Sequence, residues 1–176
     1  MGLDMHLYRS QFASPCDGQT LKVIEEKGTT ILTPVRPSEL REEIGHWWKA
    51  NQIHGWFVDN VQNGEDDCRD AYVERDQLRA LRQAVNEVLS ASKLIPEKVP
   101  LGWPLDMFGF KESIEDDLVI ANPVVAKALL PVRQGCFFGS YAYDEDYLDV
   151  LNDTLPILDA ALDSPAGMEF FYRSSW

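Results

Sequence analysis

The sequence predicts one α+β domain over residues 1–176, in which an antiparallel sheet containing both terminal strands packs against a long central helix and two or three further helices. Three observations predict this class. The chain has 176 residues, 45% of them apolar, which is enough for one core and does not require a second. Apolar residues alternate with polar ones at both ends of the chain, and between the ends they recur at intervals of three and four.

The first elements are predicted to be strands. In GLDMHLY every second residue from Leu3 onward is apolar, which is typical of a strand with one buried face. Further on, the β-branched stretches TLKVIEE and TTILTPV lie on either side of a turn at Lys27 and Gly28, a pattern that predicts a hairpin. Pro34 and Pro37 then end the extended structure.

A long central helix is predicted from Ser38 to about Val61. Ser38 suits the N-cap position, and the acidic residues that follow it suit the first turn, where the helix dipole favours negative charge. Asn63 and Gly64 end the pattern. One narrow stripe along this helix repeats at intervals of four and three and consists of Leu40, Ile44, Trp47, Asn51, His54, Val58 and Val61.

Two polar residues, Asn51 and His54, interrupt this apolar stripe. A buried amide or imidazole without a partner costs about 1–3 kcal/mol, so both side chains require hydrogen bonds. One interpretation is a network inside the core that the protein itself satisfies. The alternative is a pocket for a small ligand, or an enzyme site, around Lys49, Asn51 and His54.

No motif in the sequence declares a reaction. The chain has no G-x-S-x-G, H-E-x-x-H, P-loop or G-x-G-x-x-G pattern. His46 and His54 lie on one predicted helix with no cysteine pair around them, which does not predict a zinc site. We therefore expect no catalytic residue, metal or cofactor, and an enzyme is the less favoured class.

A second helix is predicted from Arg75 to Leu89, with a core face formed by Leu78, Leu81, Val85 and Val88. Three arginines, Arg75, Arg79 and Arg82, form a basic line along it. They either neutralise nearby acidic residues, at roughly a few tenths of a kcal/mol each, or hold a phosphate or carboxylate. In the second case they would bind a small anion together with the polar residues of the central helix.

The second half of the chain begins with a segment of irregular pattern. Residues 96–123 predict a long loop or insertion, because they contain four prolines and two glycines and show no sustained period. The large apolar side chains of this segment are expected to pack on the body of the domain, and they are Trp103, Met107, Phe108 and Phe110. PVVAKALLP then predicts a short helix.

The last two elements are a helix and a strand. Leucines at intervals of three and four predict a helix that follows a cap at Asp144 and runs through Leu162. Pro156 is expected to kink this helix. The alternating stretch MEFFYRSSW predicts the closing strand.

Charge is the strongest bulk feature of the chain. It has 16 basic and 29 acidic residues and a net charge of −13, which on average repels a phosphate backbone and favours a basic partner. We therefore expect no direct contact with nucleic acid. The acidic residues concentrate in the last helix, which either is a solvated face or presents carboxylates to a basic protein. The candidate partner-binding residues are Asp144, Glu145, Asp146, Asp149 and Asp153.

The sequence favours a cytoplasmic protein without a membrane span. The start MGLDMHLYRSQ lacks a basic leader followed by an apolar run, and nowhere do about eighteen apolar residues follow one another. Cys16, Cys68 and Cys136 are odd in number and widely spaced, which suits a reducing compartment better than a disulfide framework.

Four stretches carry a resemblance to a known family: MGLDMHLY, GHWWKANQIHGWFVDNVQNGEDDC, GCFFGSYAYDEDYLDVL and FYRSSW. Together they resemble small proteins from phages, prophages and bacteria that open with MGLDMYL-like text, carry KAN-x-IH-x-WF and close with an aromatic-SSW tail. The matching positions are Lys49, Ala50, Asn51, His54, Trp56, Phe57, Gln62, Gly64, Asp66 or Asp67, and Cys68. His6 and Trp48 depart from the pattern, which would have Tyr and Arg there, and the lost charge at Trp48 weakens an anion site.

That family has no established activity, so the resemblance implies a phage-like setting and paired terminal strands, and no mechanism. The leading hypothesis is an acidic binding protein that engages a basic host protein in the host or bacterial cytoplasm. Binding could inhibit that host protein and so counteract a host defence. The alternative is a protein or enzyme that binds a nucleotide or other small anion in a pocket at the central helix.

Overall fold

The computed structural model describes residues 2–12, 39–101 and 113–176. The predicted hairpin between residues 20 and 35, Cys16, the Ser38 cap and the four large apolar side chains of residues 103–110 lie outside these ranges. The described elements in chain order are β1 (Asp4–Phe12), β2 (Glu39–Trp48), α1 (Asn51–Asn60), β3 (Ala71–Val73), α2 (Arg75–Ala91), β4 (Leu94–Leu101), β5 (Ser113–Ile120), α3 (Val124–Leu129), α4 (Glu145–Leu162) and β6 (Glu169–Ser175).

The first and last strands lie side by side in one antiparallel sheet with the strand order β2-β1-β6-β3. β1 pairs with β6 from Asp4 opposite Ser175 to Ser10 opposite Glu169. On one face of β1, Met5 and Leu7 are fully buried, as the alternation predicts. The predicted α+β class, with both terminal strands in an antiparallel sheet packed against helices, is confirmed.

The predicted long helix from Ser38 to Val61 is wrong in its first half. Residues 39–48 form β2, which pairs with β1 along its whole length, and only residues 51–60 are helical. Lys49 lies between the two elements with φ of 58°, in the left-handed region, where it ends the strand and redirects the chain into α1.

A β-bulge explains why this strand resembles a helix in sequence. The register between β1 and β2 shifts at Ile44, so that Gly45 is opposite Leu7 while Glu43 is opposite Tyr8. The extra residue places Leu40 and Trp47 on the same face of the sheet although their separation is odd. A separation of seven is also two helical turns, and the apolar spacing alone therefore does not distinguish the two structures.

The shorter helix α1 lies inside the core. Its apolar residues Ile53, Phe57 and Val58 are fully buried, and the Phe57 ring stacks on Tyr172 of β6 with 4.0 Å between ring centroids. Asn63 and Gly64 both adopt positive φ just after the helix, so the predicted stop is confirmed.

The two long helices of the second half agree with the sequence pattern. α2 buries Leu78, Leu81, Val85 and Val88, the predicted core face. α4 begins after Asp144, whose carboxylate accepts a hydrogen bond from the Tyr147 amide at 2.9 Å, and it packs against α2 and β2. Pro156 lies within α4, and its kink stays a prediction.

The predicted loop over residues 96–123 is corrected in part. β4 and β5 pair as a two-stranded antiparallel sheet with Leu94 opposite Ile120 and Leu101 opposite Ser113, so much of the segment is extended. Two prolines, Pro96 and Pro100, occur in β4 without blocking the pairing on this small sheet, where each strand has one partner and one edge. Residues 102–112 lie outside the described ranges, and the status of the segment as an insertion stays a prediction. The predicted short helix is confirmed as α3.

Gly45 provides a test of how α4 packs on β2. A Cβ atom at this position would collide with Cγ2 of Ile157. We expect Gly45→Ala to lower the free energy of unfolding by about 1–3 kcal/mol, because extra volume in a packed interface forces side chains from their preferred rotamers. Chemical denaturation measures the change.

The matched control is the same substitution in an Ile157→Ala background, which removes the colliding methyl group. There Gly45→Ala should cost clearly less, and the two changes should show a coupling energy in a double-mutant cycle. Equal costs in both backgrounds would contradict this packing.

Candidate functional site

A groove with a cavity volume of about 330 Å³ opens between the β2–α1 junction, the segment around residues 139–142 and α4. It forms because Lys49 turns the chain from the sheet into α1 while α4 passes beside this junction. The groove residues that matter for its chemistry are Trp48, Lys49, Asn51 and Gln52 on one side and Asp146, Asp149, Val150 and Asp153 on the other.

One wall of the groove is acidic. Asp146, Asp149 and Asp153 follow one another at intervals of three and four, which places their carboxylates along one face of α4. All three are exposed, and within the described ranges no lysine, arginine or histidine forms an ion pair with any of them. This wall therefore carries three carboxylates that no cation of the described residues pairs with.

The five predicted partner-binding residues differ in their position relative to the groove. Asp146, Asp149 and Asp153 line the groove together. Asp144 also lines it but is 9% exposed and caps α4, so its carboxylate has a structural partner. Glu145 is exposed beside the groove and is not part of its lining.

The opposite wall is formed by an exposed tryptophan. Trp48 is 63% exposed, because in β2 it alternates with Trp47, whose buried indole donates to Thr154 Oγ1 at 2.9 Å. The Lys49 ammonium lies over the Trp48 ring, 4.2 Å from its centroid, in a cation–π contact. Trp48 was not among the predicted site residues. Its ring is exposed because residues 39–48 form a strand, whereas the sequence pattern predicted a helix there.

Asn51 is buried at the base of the groove and holds the neighbouring segment in place. Its Nδ2 donates to the carbonyl oxygens of Phe138 at 3.2 Å and Ser140 at 2.7 Å, and its Oδ1 accepts from the Arg133 amide at 2.9 Å. These three hydrogen bonds satisfy the amide with backbone groups. Asn51 therefore fixes one rim of the groove and has its acceptor and both of its donor hydrogens engaged within the protein.

Gln52 differs from its neighbour. It is only 4% exposed and lines the groove, yet among the described residues no hydrogen bond to its side-chain amide is formed. A nearly buried amide normally has a partner. Among the described residues, Gln62 Oε1 is the one fully buried side-chain atom without a hydrogen-bond partner, so the Gln52 amide, which forms no hydrogen bond to these residues, is open to solvent or to a ligand in the groove.

His54 lies in the core and not in the groove. It is 0% exposed, its Nε2 is 3.1 Å from Asp66 Oδ2, and its Nδ1 is 2.8 Å from the Tyr172 hydroxyl. A neutral imidazole must donate from Nε2 to the carboxylate, so Nδ1 accepts from the tyrosine hydroxyl. Burial lowers the pKa of His54 despite the opposing effect of Asp66, and burial also raises the pKa of Tyr172 well above its ordinary value.

Asp66 extends this network to the last residue of the chain. Its Oδ1 accepts from the Trp176 indole at 3.1 Å, and Arg133 Nε lies 3.8 Å from its Oδ2. Arg133 also pairs with Asp59 of α1 at 3.1 Å. Both nitrogens of His54 thus have protein partners, as in the interpretation of a network inside the core. Tyr172 and Trp176 were not predicted as partners, because strand position alone does not show which buried groups meet.

The three predicted arginines lie elsewhere. Arg75 donates to the carbonyl oxygens of Leu162, Ser164 and Pro165 and so caps the end of α4. Arg79 pairs with Asp76, and Arg82 pairs with Asp159 at 2.6 Å. None of the three lines the groove, and the structure does not assemble them with Lys49, Asn51 and His54 into one anion site.

Comparison with protein-family models, with curated proteins and with solved structures finds no match for this chain. The interpretation of the groove therefore depends on its own geometry. In the described part of the chain, no group of three His, Cys, Asp or Glu side chains is placed to hold a metal ion. No helix described by the structure has the length and apolarity that crossing a bilayer requires. Cys68 and Cys136 are exposed free thiols.

The buried His54 predicts a specific pH dependence of stability. Because the folded-state pKa is lowered, the unfolded chain takes up a proton more readily than the folded one below the ordinary pKa of about 6.5. His54 should therefore leave stability intact above that pH and reduce it as the pH falls toward the lowered pKa. The slope from this group is at most about 1.4 kcal/mol per pH unit, and urea denaturation between pH 7.5 and 5 measures it.

Two variants separate titration from loss of a hydrogen bond. His54→Gln should flatten the slope. Tyr172→Phe keeps the imidazole buried, so it should keep the slope while losing about 1–3 kcal/mol through the unpaired Nδ1. An unchanged slope in His54→Gln would mean that this imidazole does not titrate in the expected direction.

Asn51 should control the order of the 133–140 segment. Asn51→Ala leaves two carbonyls and one amide without their partner, which we expect to cost about 1–3 kcal/mol and to speed hydrogen exchange at the Arg133 amide. Asn60→Ala is the matched control, since Asn60 is exposed on the same helix and its side chain bonds only locally to the Trp56 carbonyl. Equal exchange in both variants would show that Asn51 does not anchor this segment.

Proposed function

We propose that this chain is an acidic binding protein from a phage-like setting that engages a basic protein of the bacterial host. The observation that carries the proposal is the acidic wall of the groove, where Asp146, Asp149 and Asp153 are exposed without an ion-pair partner among the described residues. The proposal places the protein in the host cytoplasm, as the cysteine usage and the family resemblance suggest.

Long-range charge supports a protein partner over a nucleic acid. The net charge of −13 repels phosphate and attracts a basic surface from a distance set by the Debye length, about 10 Å at 0.1 M salt. Such steering raises the association rate and the specificity of binding more than it raises affinity. A partner whose basic surface normally binds nucleic acid would be inhibited once that surface is covered.

A small anion is less compatible with the groove. A phosphate or carboxylate there would face Asp146, Asp149 and Asp153, and Lys49 is the one cation among the described residues that line the groove. Asn51 has no free donor, and His54 is buried outside the groove. We therefore favour a basic partner over the nucleotide alternative.

The test compares partner capture by the wild-type chain and by a variant with three neutral residues in α4. In Asp146→Asn/Asp149→Asn/Asp153→Asn the acidic wall loses its charge while the side-chain volumes are kept. We expect at least one basic protein of a bacterial lysate to bind the wild type and to bind the variant about tenfold more weakly, since each exposed pair contributes up to about 1 kcal/mol. The interaction is then measured with the purified partner.

The matched control removes the same number of charges elsewhere. Glu65→Gln/Glu87→Gln/Glu97→Gln changes three exposed residues that do not line the groove and should keep wild-type affinity. Binding to the purified partner should also weaken as salt rises from about 0.05 to 0.5 M. An affinity that depends equally on both triple variants, or on neither, would count against α4 as the binding face.

A further inference from the structure

On the basis of the function proposed above, we infer that the groove receives one arginine side chain of the basic partner. In this arrangement the guanidinium stacks on Trp48 in place of the Lys49 ammonium and pairs with the aspartates of α4. The cavity volume of about 330 Å³ is at the small end of the range for ligand pockets, roughly 300–1,000 Å³, which suits a single side chain.

The exposed indole already binds a cation within the chain. Lys49 Nζ lies 4.2 Å from the Trp48 ring centroid, and among the described residues this ammonium has no carboxylate partner. The ring face therefore suits a cation, and a cation of the partner would displace Lys49 from it. A guanidinium is planar and less strongly hydrated than an ammonium, so it stacks on an indole more favourably than Lys49 does.

The opposite wall supplies acceptors for the same cation. Asp146, Asp149 and Asp153 face the groove from successive turns of α4, and a guanidinium has five N–H donors that match carboxylate oxygens in pairs. Val150 lies between them and offers an apolar surface for the methylene groups of the arginine stem. One side chain can thus meet an aromatic face, an apolar contact and several carboxylates.

The floor of the groove offers one further polar group to a ligand, the side-chain amide of Gln52. Gln52 is 4% exposed and lines the groove, and its amide has no hydrogen-bond partner among the described residues. Asn51 beside it has its two donor hydrogens and its acceptor satisfied, so the difference is specific to Gln52. The Gln52 carbonyl oxygen is an acceptor that a guanidinium N–H would satisfy.

The test uses the full chain and the peptide acetyl-GRGRGRG-amide as probe, followed by NMR of the Trp48 indole and the Gln52 amide. We expect both resonances to shift on binding. The peptide with citrulline in place of arginine keeps the shape and loses the charge, and it should not shift them. The lysine peptide should bind more weakly than the arginine peptide, because an ammonium lacks the planar fork.

Three variants probe the walls of the groove. Trp48→Ala should weaken binding of the arginine peptide by about tenfold while leaving the thermal midpoint near that of the wild type, since the ring is largely exposed. Gln52→Leu should abolish the floor contact and also weaken binding. Lys49→Met should strengthen binding several-fold, because it vacates the indole face, and Lys93→Met is its matched control with the same charge change outside the groove.

The outcomes separate this inference from the proposed function. If the triple aspartate variant loses the peptide but Trp48→Ala and Lys49→Met bind as the wild type does, the acidic face binds and the groove inference is overturned. If the triple aspartate variant keeps full affinity for the arginine peptide, both the groove inference and the proposed function are contradicted. Equal binding of the citrulline or the lysine peptide would likewise overturn the assignment of arginine.

Discussion

The pairing of β1 with two partners at once is the constraint on which the rest of the structure depends. β1 lies between β2 and β6, so the first strand of the chain joins the middle of the sequence to its end. Its buried face supplies Met5 and Leu7 to the core, and the stacked Phe57 and Tyr172 rings attach α1 to the neighbouring β6. The sheet provides part of the surface that the helices cover, as the packing of α4 on β2 shows.

The junction between β2 and α1 forms one side of the candidate binding groove. Trp47 points into the core and Trp48 points out, and the left-handed Lys49 then places Asn51 and Gln52 beside α4. Asn51 holds the opposite rim through backbone hydrogen bonds, which keeps the groove open without using the Gln52 amide. One rim of the groove is thus held by the buried Asn51 side chain, which favours a preformed binding surface.

The polar residues separate into an inner and an outer set. His54 hydrogen-bonds to both Asp66 and Tyr172, and Asp66 accepts from the Trp176 indole, so these groups fix α1 to the end of the chain. Asp146, Asp149 and Asp153 of α4 line the groove at the surface beside the Trp48 indole, and among the described residues none of them forms an ion pair. This separation is the physical reason to propose contact with a basic partner in preference to chemistry on a substrate.

The sequence by itself determined the features that depend on local pattern and composition. The alternation of β1 and β6, the core face of α2, the helix at α4, the Asp144 cap and the acidic excess were all readable, because neighbouring residues alone decide them. Burial with protein partners was the default interpretation of Asn51 and His54, although those partners, up to 118 positions away, were not readable. Only the tertiary structure decided that residues 39–48 form a strand, since a bulge against β1 gives the same spacing as two helical turns. The tertiary structure also decided where the groove forms. Its walls come from β2 and α4, which are about a hundred residues apart in the chain, and no local pattern shows that they meet.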